Sequence, residues 1–157
     1  MGTNAKLYEQ DFYAWTQEQA ALLREAAVHE LDLANLAEEI ESLGKSDRRA
    51  LGSHLRNLVM HLLKWQYQRR GRLTGHSWES SIQNARDEIA MILEDSYSLG
   101  PTVPEVLARR YPLARQNAAT ETRLPLALFP ASCPWTPEQV LDPDFWPGEA
   151  NDTAPRP

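Results

Sequence analysis

The chain is poor in the features that most often betray an activity. It has one cysteine in 157 residues, Cys133, so no internal disulfide can form. No apolar run approaches the ~18 residues that a membrane span requires. The N-terminus, MGTNAKLYEQDF, lacks the apolar core of a secretory signal. A soluble cytoplasmic protein with no membrane partner is the expectation. No phosphate-cradling glycine loop, complete metal-ligand set or nucleophile constellation is present, so the chain reads more as a non-enzyme than as an enzyme, and no cofactor is predicted.

What is present argues for a folded helical protein. Hydrophobic residues make up 42% of the chain and there are five tryptophans, a composition outside the disordered class. The length suits a single domain. Net charge is −6, but its distribution is uneven. Residues 1–43 carry two basic and nine acidic groups, residues 44–76 eight basic and one acidic, and residues 77–157 six basic and twelve acidic. The middle of the chain is a basic island between acidic flanks.

That island coincides with the clearest helical pattern, Ser46 to Arg70. On a 100° wheel Leu51, Leu55, Leu58, Leu62 and Trp65 fall within roughly 40° of one direction, which predicts a core stripe. His54, Asn57, His61 and Gln68 line one flank. Met60, Leu63 and Tyr67 form a second apolar side. A helix apolar on two sides is central in its bundle or shares one side with a partner. Met60, Leu63 and Tyr67 are therefore the candidate interface, for a protein partner or a homodimer.

Two other readings compete. His54 and His61, with Glu38 from the preceding helix, are candidate ligands for a transition metal and so for a metal-dependent hydrolase. Spacing works against them: seven residues span about 10.5 Å of helix, whereas histidines sharing an ion usually stand three or four apart. Neither histidine has a glutamate three residues before it, as a dimetal-carboxylate bundle would need. Lys64, Arg69, Arg70 and Arg72, with Trp65 and Tyr67 as stacking surfaces, are the candidates for nucleic-acid binding through the 64–72 segment. Overall acidity opposes a phosphate backbone at long range.

The flanking segments read as architecture. Thr16 to Gln19 has the pattern of a capping box, opening a helix through Ala20, Leu23 and Ala27 to about His29. Asp32 caps a second helix whose stripe is Leu33, Leu36, Ala37, Ile40 and Leu43. Gly44 is expected to end it. A tight turn at Gly44-Lys45-Ser46 would then fold it antiparallel onto the central helix, setting Glu41 near Arg48 and Glu38 near His54. Ser77 opens a helix with Trp78, Ile82, Ala85, Ile89, Ile92 and Leu93 on its stripe, stopped by Gly100-Pro101. Pro104 suits the first turn of the next helix, and Pro112 is expected to kink or restart it. Residues 124–157 hold eight of the eleven prolines together with Phe129, Trp135, Phe145 and Trp146. They predict an extended arm docked by its aromatics, with one helical turn behind the capping box Thr136 to Gln139. Cys133 lacks a histidine near it in sequence to act as base, so burial is favoured over nucleophilic catalysis.

The run LDLANLAEEIESLGKSDRRALGSHLRNLVMHLLKWQYQ, the lead-in DFYAWTQEQAALLR and the segment FPASCPWTPEQVLDPDFWP closely resemble the bacterial domain-of-unknown-function family twenty-nine, over about residues 8–147. The chain departs from the family pattern at Ala131 and Ser132, where a second acidic residue usually stands before Cys-Pro. The resemblance implies a compact all-helical protein and carries no activity. The expectation is thus an all-α antiparallel bundle of about four main helices over residues 8–123, an arm over 124–147 and a frayed tail over 148–157. Its function is that of an interaction or regulatory module.

Overall fold

Every regular element in the computed structural model is helical; among the described residues, 3–68 and 76–148, there is no strand. The α-helices are α1 (Thr3–Gln10), α2 (Phe12–Arg24), α3 (Leu33–Tyr67), α4 (His76–Asp95), α5 (Val103–Thr122) and α6 (Pro137–Leu141). Short 3-10 segments lie at Val28–Glu30, Tyr97–Thr102 and Leu126–Leu128. Four of the helices are long, as the periodicity predicts. None is long and apolar enough to cross a membrane among the described residues. Where the sequence suggests one domain, the chain divides into two compact units, Met1–Ser46 and Asp47–Pro157.

In the first unit the lead-in is itself helical, so the predicted start of the following helix is corrected. Asp11, between α1 and α2, is the N-cap, its carboxylate accepting from the Ala14 N–H at 2.9 Å. Thr16 lies a turn further in and donates to the Tyr13 carbonyl at 2.7 Å. The helix stops at Arg24, earlier than expected, and Ala26 takes a left-handed φ of 54°. Trp15, 2% exposed, anchors the unit, with Phe12 stacked on it at 5.7 Å and Tyr8 edge-on at 4.9 Å. Asp32 ties these pieces together. It accepts from Trp15 Nε1 at 3.2 Å and Asn35 Nδ2 at 2.8 Å, and its own N–H donates to the buried Gln19 Oε1 at 2.9 Å. The Tyr8 hydroxyl donates to Glu39, and that bond above all raises the tyrosine pKa to about 12.

The largest departure from the sequence reading is at Gly44. The predicted turn does not form: α3 runs through Gly44, Lys45 and Ser46 without a break, for 35 residues. Glycine inside a helix costs about 1 kcal/mol relative to alanine, which the continued hydrogen-bond ladder and good helix formers on both sides outweigh. The hairpin that was to set Glu38 beside His54 and Glu41 beside Arg48 is therefore absent. Its apolar stripe is uncovered as well: Leu33, Ile40 and Leu43 are 61%, 67% and 66% exposed.

In the second unit both apolar sides of α3 are buried. Leu51, Leu55, Leu58 and Leu62 are fully inaccessible, as are Val59 and Leu63 on the other side. Ile82, Ala85 and Ile89 of α4 join them, with Val103, Leu107, Tyr111, Ala114 and Ala118 of α5. Pro112 neither ends nor restarts α5. It is exposed, as is Ala108, whose carbonyl loses its usual donor, so water can serve that carbonyl. The arm packs through Phe129, Trp135 and Val140, and α6 has the predicted capping box, Thr136 with Gln139.

Candidate functional site

The candidate metal ligands do not converge. His54 and His61 share α3 at a spacing of about 10.5 Å along its axis. Glu38 lies upstream on the same unbroken helix. Among the described residues no group of three or more His, Cys, Asp or Glu side chains is placed to hold a metal ion. His61 is half-buried. Burial, reinforced by the Lys64 ammonium and opposed by the Glu121 carboxylate, lowers its pKa, and its Nδ1 is buried without a hydrogen-bond partner.

Lys64, the described cation of the candidate nucleic-acid set, is turned inward. Its Nζ pairs with Glu121 at 2.7 Å and lies 4.7 Å from the centroid of the Trp78 ring. Arg69, Arg70 and Arg72 lie outside the described residues. The two stacking surfaces are occupied: Trp65 meets Trp146 at 4.8 Å and Tyr67 meets Phe129 at 5.3 Å. The same contacts change the reading of the interface candidates. Met60 and Leu63 are buried inside the unit, and Tyr67 is half-buried under the arm. The second apolar side of α3 is thus covered from within the chain, and a partner would have to displace the arm to reach it.

Three polar side chains hold that arm, and sequence reasoning assigned none of them this work. Arg86, 5% exposed, donates through Nε to the Val140 carbonyl and through Nη2 to that of Phe145, each at 2.9 Å. Its guanidinium also lies 5.6 Å from the Trp146 ring. Burial lowers its pKa and the nearby Asp142 carboxylate opposes this. Arg115 donates to the carbonyls of Phe129 (3.1 Å) and Leu126 (3.2 Å), and the Tyr111 hydroxyl to that of Pro130 (2.6 Å). Arg86 was readable in principle. It stands four residues after Ile82 and three before Ile89, on the apolar stripe itself, where a cation needs a buried acceptor. Cys133 is half-buried, its thiol near the Trp135 carbonyl at 3.5 Å, and burial pushes its pKa up, away from the thiolate a nucleophile needs.

Exposed apolar side chains occur on both units, Met91 and Tyr97 among those of the second, but a periodic row of them lies on the first. Leu33, Leu36, Ile40 and Leu43 follow one another on α3 at intervals of three, four and three, the spacing of a coiled-coil seam. Leu36 is half-buried and the other three are exposed. Ala37 and Gly44 lie exposed beside them, small enough to let another backbone approach. A Cβ added at Gly44 would meet no heavy atom within 4 Å. Phe12, Leu23 and Val28 of the same unit are also at least half exposed. Glu38, Glu41, Lys45, Arg48 and Arg49, also exposed, lie on the face of α3 turned away from the seam.

A family model described as domain of unknown function DUF29 matches residues 7–146. No curated protein and no solved structure matches the chain.

Proposed function

Because the chain belongs to DUF29, a family of domains of unknown function, and that membership supplies no activity, we propose from its surfaces that it is a cytoplasmic, non-enzymatic interaction module. It docks through the exposed seam of α3. One observation carries the reading: Leu33, Ile40 and Leu43 repeat at helical spacing while each is more than three-fifths exposed. Scattered surface leucines need no explanation, but a periodic row of them is the mark of a face awaiting a partner. The chemistry-bearing side chains elsewhere support it by being engaged: Lys64 with Glu121, Arg86 with two carbonyls, Cys133 held as the thiol by burial. The surface differs from the one the sequence suggests. Met60, Leu63 and Tyr67 serve the chain's own core, and the docking face lies on the preceding stretch of the same helix.

The test is a photo-cross-linking amino acid placed at residue 40 in living cells, with residue 87, an exposed position of α4, as control. A discrete protein adduct from residue 40 and none from residue 87 is expected. The absence of any adduct at residue 40 would refute the reading.

A further inference from the structure

We propose that the seam's partner is a cationic amphipathic helix of about four turns, with one apolar stripe bordered by lysine or arginine. The inference rests on the interaction-module reading and names the chemistry of its partner.

The charge around the seam selects that partner. Residues 1–46, the first unit, contain nine acidic side chains and three basic ones, Lys6, Arg24 and Lys45. Nine less three leaves six acids that no pairing within the unit can compensate. All nine but Asp32 and Glu39 are exposed. The border of the seam has the same sign. At 100° per residue, Leu33, Leu36, Ile40 and Leu43 centre on one direction of α3. Between residues 33 and 50 two charged side chains lie within about 90° of that direction, and both are acids. Glu39 stands about 80° to one side, and Asp47 continues the seam itself, four residues after Leu43. Arg48, the nearest base, is about 100° away, with Lys45 and Arg49 about 160° away. Glu39 accepts from the Tyr8 hydroxyl and Asp47 from that of Ser96 at 3.4 Å, neutral donors that leave both carboxylates charged.

An apolar row with an acidic border discriminates among the surfaces that could cover it. A lysine or arginine beside the partner's stripe lays its stem on the leucines and its charge toward Glu39 or Asp47. An anionic bilayer or a nucleic-acid backbone is repelled. A second copy would bring the acidic unit against its twin, so the same charge opposes self-pairing. Length follows from the row: Leu33 to Asp47 spans about 21 Å at 1.5 Å per residue, which is about four turns. Ala37 and Gly44, exposed beside the row, let the incoming backbone approach.

Fluorescence anisotropy with the full chain tests this, using two labelled 18-residue peptides as probes. Both have a leucine stripe at helical spacing; one borders it with lysine and the other with glutamate. The lysine peptide is expected to bind with a Kd of about 10–100 µM, and the glutamate peptide at least about tenfold more weakly. Raising the salt from about 0.05 to about 0.5 M should weaken the lysine peptide about fivefold. Two substitutions at exposed positions separate the seam from general acidity, with circular dichroism to check folding. I40S should weaken the lysine peptide about tenfold. D47K should weaken it about fivefold and strengthen the glutamate peptide. Equal affinity for the two peptides, binding indifferent to I40S or to D47K, or no binding of the lysine peptide at several hundred micromolar overturns the cationic helix. The cross-link at residue 40 separates this from the reading beneath it. An adduct there alongside any of those results leaves the interaction module standing with a partner of other chemistry. An adduct of twice the chain mass overturns the cationic helix in favour of self-pairing, and no adduct overturns both readings.

Discussion

Replacing Gly44 with alanine asks whether α3 is one helix. In the structure Gly44 is an interior helical residue, exposed, with no heavy atom within 4 Å of where a Cβ would sit. Its φ is not in the left-handed region, where Gly148 is the one glycine among the described residues. Alanine is better than glycine in a helix interior by about 0.8–1.0 kcal/mol, partly because it narrows the unfolded ensemble. Gly44→Ala should therefore stabilise by about 1 kcal/mol, raising the melting temperature by roughly 2–4 °C for a chain of this size. Had Gly44 been the left-handed residue closing a helix before a turn, the same change would cost about 1–2 kcal/mol. The two geometries predict opposite signs, separated by more than the error of a denaturation curve. Gly52→Ala is the control. A Cβ there falls 2.7 Å from Arg110 Nε, so the guanidinium must move aside and the helical gain should be reduced or cancelled. Because the chain has two units, hydrogen exchange is the decisive local readout. Amides of residues 40–48 should exchange about fivefold more slowly in Gly44→Ala. Faster exchange there, or a lower melting temperature, would refute the continuous helix.

Two further outcomes follow from the second unit. Arg86→Met removes two charge-assisted hydrogen bonds and orphans the carbonyls of Val140 and Phe145, but it also relieves a buried cation whose Nη1 has no partner. The net should be about 2–4 kcal/mol of destabilisation with new protease cleavage between residues 124 and 147, and a loss under about 1 kcal/mol without cleavage would contradict the anchoring role. His61 is held neutral by burial, with a folded pKa below the ordinary value of about 6.5. The unfolded chain therefore takes up that proton first as pH falls, and stability is lost from about pH 6.5 downward until the folded pKa is passed. His61→Gln should flatten this part of the stability profile between about pH 7 and 5; parallel profiles for the two proteins would reject it.

Local rules made much of this fold legible. Leu51, Leu55, Leu58 and Leu62 announce their burial by spacing alone, Asp32 is the helix cap it resembles, and Thr136 with Gln139 forms its capping box. The prolines of the arm did not hide its purpose, because aromatics between them had to be covered. Errors arose where two local signals compete. Asp11 and Thr16 are both good caps, and only the helicity of the apolar lead-in between them selects the first. Gly44 follows an apolar stripe as a C-terminal glycine would, yet a solvent-facing glycine inside a long helix leaves the same trace. From that one choice came the hairpin, the Glu38–His54 pair and the expectation that Leu33, Ile40 and Leu43 were core. The arm's cover over Tyr67 was open to sequence reasoning only as a guess, since it depends on where Phe129 lands some sixty residues later.

Magnitudes limit what the seam can do. Leu33, Ile40 and Leu43 together expose about two leucine side chains' worth of surface per copy. At roughly 1.5–3 kcal/mol for each side chain fully buried, covering them and a partner face of equal apolar area gains about 6–12 kcal/mol. Loss of translational and rotational freedom opposes this with about 4–15 kcal/mol. The balance is a weak complex, micromolar or looser, whose population follows the partner's concentration. Such an equilibrium suits a regulatory module, because a modest rise in partner concentration changes the fraction bound. A nanomolar complex would require more buried surface than the seam supplies. Phe12, Leu23 and Val28, each half exposed or more on the same unit, are the side chains that would have to provide it.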